Sequence, residues 1–167
     1  MDDRGIAKVP FDVATYVRNM QGGRCFICAL VAGEPEAFHE VVYEDDDHIA
    51  FLNRYPTLEG YVLVCPKRHL EDVIRDFSEE AYLALQALVR QIGVGLQAVL
   101  PVERIYVLSL GSLQGNAHVH WHVAPLPPDV PYAQQQYHAL MGENGVIDQS
   151  PAAKAELARR LREELQN

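Results

Sequence analysis

From Tyr82 onward the apolar positions Tyr82, Leu85, Leu88, Val89, Ile92, Leu96 and Val99 recur at intervals of three and four. That spacing lines one face of an amphipathic helix. Ser78 is placed to cap it, with Glu79 and Glu80 in the first turn, where acids suit the helix dipole. The helix is expected to reach about Leu100, where Pro101 ends it. Gly93 and Gly95 weaken it, and Gly93 is also open to a close-packing role. A second helical stretch, "QSPAAKAELARRLREELQ", is rich in good helix formers and closes the chain.

Elsewhere the apolar runs are short and read as strands. "HEVVYEDD" and "HIAFLNRYP" flank an acidic turn at Asp45–Asp47, and their β-branched and aromatic residues favour a hairpin. A third strand is expected over Tyr61–Cys65, stopped by Pro66. "ERIYVLSLG" and "AHVHWHVAP" alternate as two more. Residues 1–24 show little pattern beyond a possible helical turn near Asp12–Arg18. Strands, one long helix, strands and a final helix give an α+β architecture with a five-stranded antiparallel sheet.

The 167 residues suit one domain, and 49% hydrophobic residues are enough for a real core. A formal net charge of −9 argues against nucleic acid and anionic membrane surfaces as partners. Any anionic ligand must therefore be held by local groups. No apolar run approaches the roughly 20 residues that span a bilayer. "MDDRGIAKVP" lacks a signal-peptide core, so a cytoplasmic protein is expected. Three cysteines, Cys25, Cys28 and Cys65, are too few for a disulfide framework; reduced thiols or metal ligands fit better.

The chemistry concentrates in "GNAHVHWHVAPLP", where His118, His120 and His122 sit two apart. On a strand they share one face, and Val119, Trp121 and Val123 share the other. Chance spacing of ordinary histidines is the plain alternative. Two chemical readings are open: a metal site drawing several ligands from this strand, or covalent catalysis with a neutral imidazole attacking phosphorus.

His118-Val-His120-Trp-His122-Val-Ala resembles the His-φ-His-φ-His-φ-φ signature of the histidine triad (HIT) family. "AFLNRYPTLEGYVLVCPKRH" is similar to the family's strand–turn–strand, with an Asn before the turn and a V-x-P-K-x-H end. The resemblance covers about residues 25–127. It implies a HIT-like fold and a nucleotide hydrolase or transferase that splits a nucleoside 5′-phosphate from its leaving group. It implies His120 as the nucleophile, His122 on the phosphate and Asn53 near the ribose. It also implies a homodimer, paired through the long helix and a strand. No metal is needed for that chemistry. In some bacterial members, however, a C-x-x-C pair holds structural zinc with two histidines. Those positions map onto Cys25, Cys28, His69 and His118, with His48 as the rival histidine. The implied organisation is an extension over 1–24, a HIT domain over 25–131 and a C-terminal segment over 132–167.

Three features depart from the family pattern. Tyr61 stands where many members have a histidine. The loop "GSLQGNAH" is shorter than usual, with Asn116, Ser112 and Gln114 as candidates for its phosphate and leaving-group contacts. Trp121 is bulkier than the usual aliphatic. Two other functions remain in view: a nucleotide-binding module without turnover, and a zinc enzyme using all three histidines. Cys65 reads as a buried apolar residue. Arg54, Lys67 and Arg68 read as surface charges first and as aids in drawing in phosphate second, and His39 and His138 have no assigned partner. "YAQQQYHALMGENGVID" either covers the site or simply packs.

Overall fold

The computed structural model describes residues 8–21, 23–111 and 116–166. Five strands form one antiparallel sheet: β1 (Val41–Glu44), β2 (His48–Leu52), β3 (Val62–Pro66), β4 (Arg104–Leu108) and β5 (Trp121–Leu126). Their order is β1-β2-β3-β5-β4, so β5 lies inside the sheet between β3 and β4. The hairpin turn forms as expected, because the Asp45 carboxylate accepts from the backbone N–H of Asp47 and of His48.

Alternation divides each inner strand between two cores. Ala50, Leu52, Val62, Val64, Trp121 and Val123 face one side. There they meet the long helix α3 (Glu79–Val99) and the C-terminal helix α5 (Pro151–Leu165). The predicted apolar face of α3 supplies Leu85, Leu88, Val89, Ile92 and Leu96, all buried. Ser78 caps α3 through Ala81 N–H, and Ser150 caps α5 through Ala153 N–H. The close approach on α3 is at Gly95 rather than Gly93. A Cβ on Gly95 would lie 2.9 Å from Leu161 and 3.1 Å from Leu165 of α5, whereas one on Gly93 would have ordinary contacts.

Ile49, Phe51, Leu63, Cys65, Ala124 and Leu126 face the opposite side. The short helix α2 (Phe26–Val31) covers them, together with Ala139 of α4 (Tyr137–Leu140). The extension is more ordered than the expected single turn. Helix α1 (Val13–Gln21) is capped by Asp12, whose carboxylate accepts from Thr15 N–H at 2.9 Å and from its hydroxyl at 2.7 Å.

The strand carrying the histidines also differs from expectation. β5 begins at Trp121, so His118 and His120 precede it. The β4 ladder ends at Leu108 opposite His122. Beyond that point Ser109 Oγ donates to the His120 carbonyl, and Val119 N–H turns to the Leu70 carbonyl at 2.7 Å. There the end of β3 and the segment after it supply the partners that a ladder would, through the carbonyls of Pro66 and Leu70. The odd residues still keep their side: Val119, Trp121 and Val123 are all in the helix-covered core.

Candidate functional site

Cys25 is the N-cap of α2, and its sulfur accepts from Cys28 N–H at 3.4 Å. This turn brings both thiols to the same side of the chain. The end of β3 and the residues after it, "PKRH", bring in His69. His118 is fully buried, and its Nε2–H donates to the Pro66 carbonyl at 2.8 Å. Because a carbonyl only accepts, Nδ1 of His118 is left bearing the lone pair. Nδ1 lies 3.4 Å from Cys25 Sγ and 3.5 Å from Cys28 Sγ. His69 Nδ1 lies 3.3 Å from Cys28 Sγ, and its Nε2 bonds Glu71 at 3.0 Å.

All four donor atoms fall within 4.8 Å of one another. Tetrahedral Zn²⁺ with usual bond lengths holds a sulfur and a nitrogen about 3.6 Å apart, so the spacing fits. Two thiols and two imidazoles are also the donor set of a closed zinc site. Burial, followed by the Cys25 thiol, pushes the Cys28 thiol up to about 11. A cation here would reverse that by stabilising thiolate. His48 takes no part; it bonds Asp45 at 3.2 Å instead.

His120 and His122 face a different space. Their rings are 4.7 Å apart in an edge-to-face arrangement. Both line a cleft of about 630 Å³, together with Asn53 and Asn116. His120 Nδ1–H donates to the His118 carbonyl at 2.7 Å, leaving Nε2 as an unprotonated lone pair. His122 Nδ1 meets the Tyr61 hydroxyl at 3.1 Å. Burial raises the Tyr61 phenol far above its usual range, so it remains a donor. Tyr61 and the His122 ring thus hold one another through Nδ1, and Nε2 of His122 is left to the cleft. Burial lowers the pKa of His120. Burial, then the neighbouring His120, pushes His122 down to about 3. Both imidazoles are therefore neutral at pH 7.

The three histidines thus divide between two places, one in the Cys–His cluster and two in the cleft. Asn53 lines the cleft while its side-chain oxygen accepts from Tyr55 N–H, and its amide N–H₂ has no partner among the described residues. Asn116 lines the cleft too, and its Nδ2 is a buried donor with no partner among the described residues. Ser112 and Gln114 lie outside the described residues. Lys67 pairs with Glu44 at 2.8 Å, as a surface charge would. Arg54, however, lines the cleft and donates to the Phe38 carbonyl.

Sequence reasoning missed several cleft residues. His39 stacks on Phe26 at 5.4 Å, and both rings line the cleft. Tyr16, Asn19 and Met20 of α1 line it as well. Their spacing of three and one was the available signal, together with Asp12 as a cap. None of residues 132–148 lines the cleft, so that segment does not cover it.

The comparisons agree with this construction. An uncharacterised HIT-like protein of Saccharolobus solfataricus is 31% identical over 104 residues, 60% of this chain and 73% of that protein. One from Mycobacterium tuberculosis is 33% identical over 104 residues, 60% of this chain and 70% of that protein. Among solved structures, a hypothetical histidine triad nucleotide-binding protein from Sulfolobus tokodaii has a TM-score of 0.68 at 23% identity, covering 85% of this chain and 92% of that one. A Zn-bound histidine triad family protein from Mycobacterium smegmatis has a TM-score of 0.65 at 24% identity, covering 85% and 93%. These two share the fold. Among the described residues no helix is long and apolar enough to cross a membrane. The sheet, the histidine run and the strand–turn–strand before it fall within residues 34–128, which match the HIT domain model, and the chain belongs to the HIT domain family.

Proposed function

We propose that this protein is a nucleotide hydrolase or transferase that works through a covalent nucleotidyl-His120 intermediate. One observation carries the reading: the 2.7 Å bond from His120 Nδ1–H to the His118 carbonyl. It fixes the tautomer whose Nε2 lone pair is free to attack.

Nε2 attacks the α-phosphorus of a nucleoside 5′-phosphate derivative and forms a P–N bond. The P–X bond breaks, and the leaving group departs with its electron pair and takes up a proton. Water then attacks the same phosphorus, the P–N bond breaks and the nucleoside monophosphate is released. The Asn116 amide would donate to phosphate oxygens, where charge grows in the transition state, and His122 would contact the same phosphate through Nε2. Asn53 is placed for the ribose. Dinucleoside polyphosphates and nucleoside phosphoramidates both fit this scheme.

Cys25, Cys28, His69 and His118 would hold a structural zinc. It would tie the start of α2 to the segments on either side, and no chemical step needs it. Leu83 and Val94 of α3, Val107 of β4 and Leu110 just beyond it are exposed apolar residues. They support a homodimer through the long helix and the β4 edge. The net charge of −9 supports a small-molecule partner over nucleic acid.

The test compares AMP release from adenosine 5′-phosphoramidate and from diadenosine tetraphosphate in wild type and His120→Ala. Release that vanishes in the variant is expected, together with labelled protein trapped on brief exposure of wild type. Equal turnover by the variant would overturn the mechanism. AMP binding without turnover by wild type would point to a binding module.

A further inference from the structure

Helix α1 presents a difficulty on its own. It buries none of its nine residues. A nine-residue helix is marginal in water unless packing supports it. Its start is held well. Val9 and Val146 exchange both backbone hydrogen bonds, at 2.8 and 3.0 Å. That bridge requires Gly145, whose φ is +92° and whose added Cβ would lie 2.8 Å from the Val9 carbonyl oxygen. Phe11 and Tyr16 then join Tyr55 in an aromatic cluster, with centroids 4.9–5.6 Å apart. These contacts hold the helix at the mouth of the cleft.

Tyr16, Asn19 and Met20 form one helical stripe of α1. All three line the same cleft as His120 and His122. The stacked Phe26–His39 ring pair lines that cleft as well. Tyr16 offers an aromatic ring, Met20 a polarisable thioether and Asn19 an amide with both donors and an acceptor. A flat heteroaromatic ring with polar edges satisfies all three at once. A bare phosphate or a sugar satisfies only the amide.

Resting on the proposed nucleotide reading, we propose that α1 is a substrate-recognition wall, and that Tyr16, Asn19 and Met20 contact the nucleobase of the bound nucleotide. These residues lie outside the stretch that matches the family model. The extension thus adds base recognition that the histidine run and its neighbouring strands do not supply. A bound base would in turn pack against Tyr16 and Met20, which are only half-buried.

The experiment measures equilibrium binding of two probes, AMP and ribose 5-phosphate, to the full chain by calorimetry. The variants are Tyr16→Ala with Met20→Ala, and separately Asn19→Ala. Asn19 is exposed, so its truncation does not threaten the fold. Base–aromatic contacts are typically worth roughly a five- to hundredfold change in affinity. The double variant is expected to bind AMP about tenfold more weakly, and Asn19→Ala a few-fold more weakly. Neither is expected to change ribose 5-phosphate affinity, which reports that the phosphate end is intact. Unchanged AMP affinity in both variants would overturn the inference and leave the nucleotide reading standing. An equal loss for both probes would also overturn it, since α1 would then act only by supporting the fold. No binding of either probe by the unaltered protein would sink the nucleotide reading, and this inference with it.

Discussion

Val119, Trp121 and Val123 alternate with His118, His120 and His122 along one short run, yet the two sets are held in different ways. The odd residues go into a continuous apolar layer under α3 and α5. Trp121 sits edge-on to Phe77 at 5.8 Å and to Tyr82 at 6.0 Å. Any apolar side chains of suitable volume would fill that layer. On the even side each ring has a named partner on one nitrogen: Pro66 for His118, the His118 carbonyl for His120 and Tyr61 for His122. The odd face depends on volume and the even face on which nitrogen carries a proton. Changes on the two faces should therefore separate stability from chemistry.

The largest expected effect is on the chemical side. His120→Ala should lower turnover by roughly 10⁴-fold or more, as loss of a nucleophile does, with the melting temperature little changed. Trp121→Ala should do the opposite. It should cost about 3–5 kcal/mol of stability, read by urea denaturation, while turnover per folded molecule stays within a few-fold. A Trp121→Ala protein that is as stable as wild type but inactive would erase the distinction between the faces.

His118 belongs to both accounts, because it faces the thiols and its carbonyl holds His120. Cys28→Ser should lose zinc, measured by metal analysis. It should also lose the stabilisation that zinc gives, on the order of 4 kcal/mol when free zinc is a thousandfold above Kd. Wild type purified without metal and equally stable would remove the structural role. A smaller effect is expected from Glu71→Gln. The carboxylate bonds His69 Nε2 and so directs Nδ1 to the thiols. Loss of such a partner typically weakens metal binding roughly 10–100-fold, measurable by competition with a chromophoric chelator.

The last effect is absent at neutral pH and develops only in acid. The folded pKa of His122 is pushed down to about 3, against an ordinary 6.5. The unfolded chain therefore binds a proton that the folded chain refuses, and stability falls as pH drops from about 6.5 toward 3. His122→Asn should be less sensitive to acid over that window. Parallel stability curves for wild type and variant would contradict the burial of His122 as a neutral ring.

Much of this was legible because it depends on local rules. The period of three and four marked α3, and Ser78 marked its start. Alternation marked the sheet, and spacing by two placed three imidazoles opposite an apolar set. The HIT resemblance followed from those same residues and the strand–turn–strand before them. The fate of Gly93 and Gly95 was not legible, because it depends on where α5 crosses α3. Nor was the departure of His118 and His120 from the ladder, which depends on carbonyls of Pro66 and Leu70 some fifty residues away. His39 looked like an orphan residue until the tertiary fold brought it to the cleft, and the same fold decided between the two readings open for Arg54, which lines the cleft as well. Helix α1 was the clearest case. Its own sequence carries a cap and a short stripe, but its position over the cleft comes from the Val9–Val146 bridge and the Phe11–Tyr16–Tyr55 cluster. Periodicity is a property of neighbours along the chain, so sequence alone determined the elements and the chemical character of each face. Which nitrogen holds a proton, and which segment walls the cleft, depend on groups distant in sequence, so only the tertiary structure decided them.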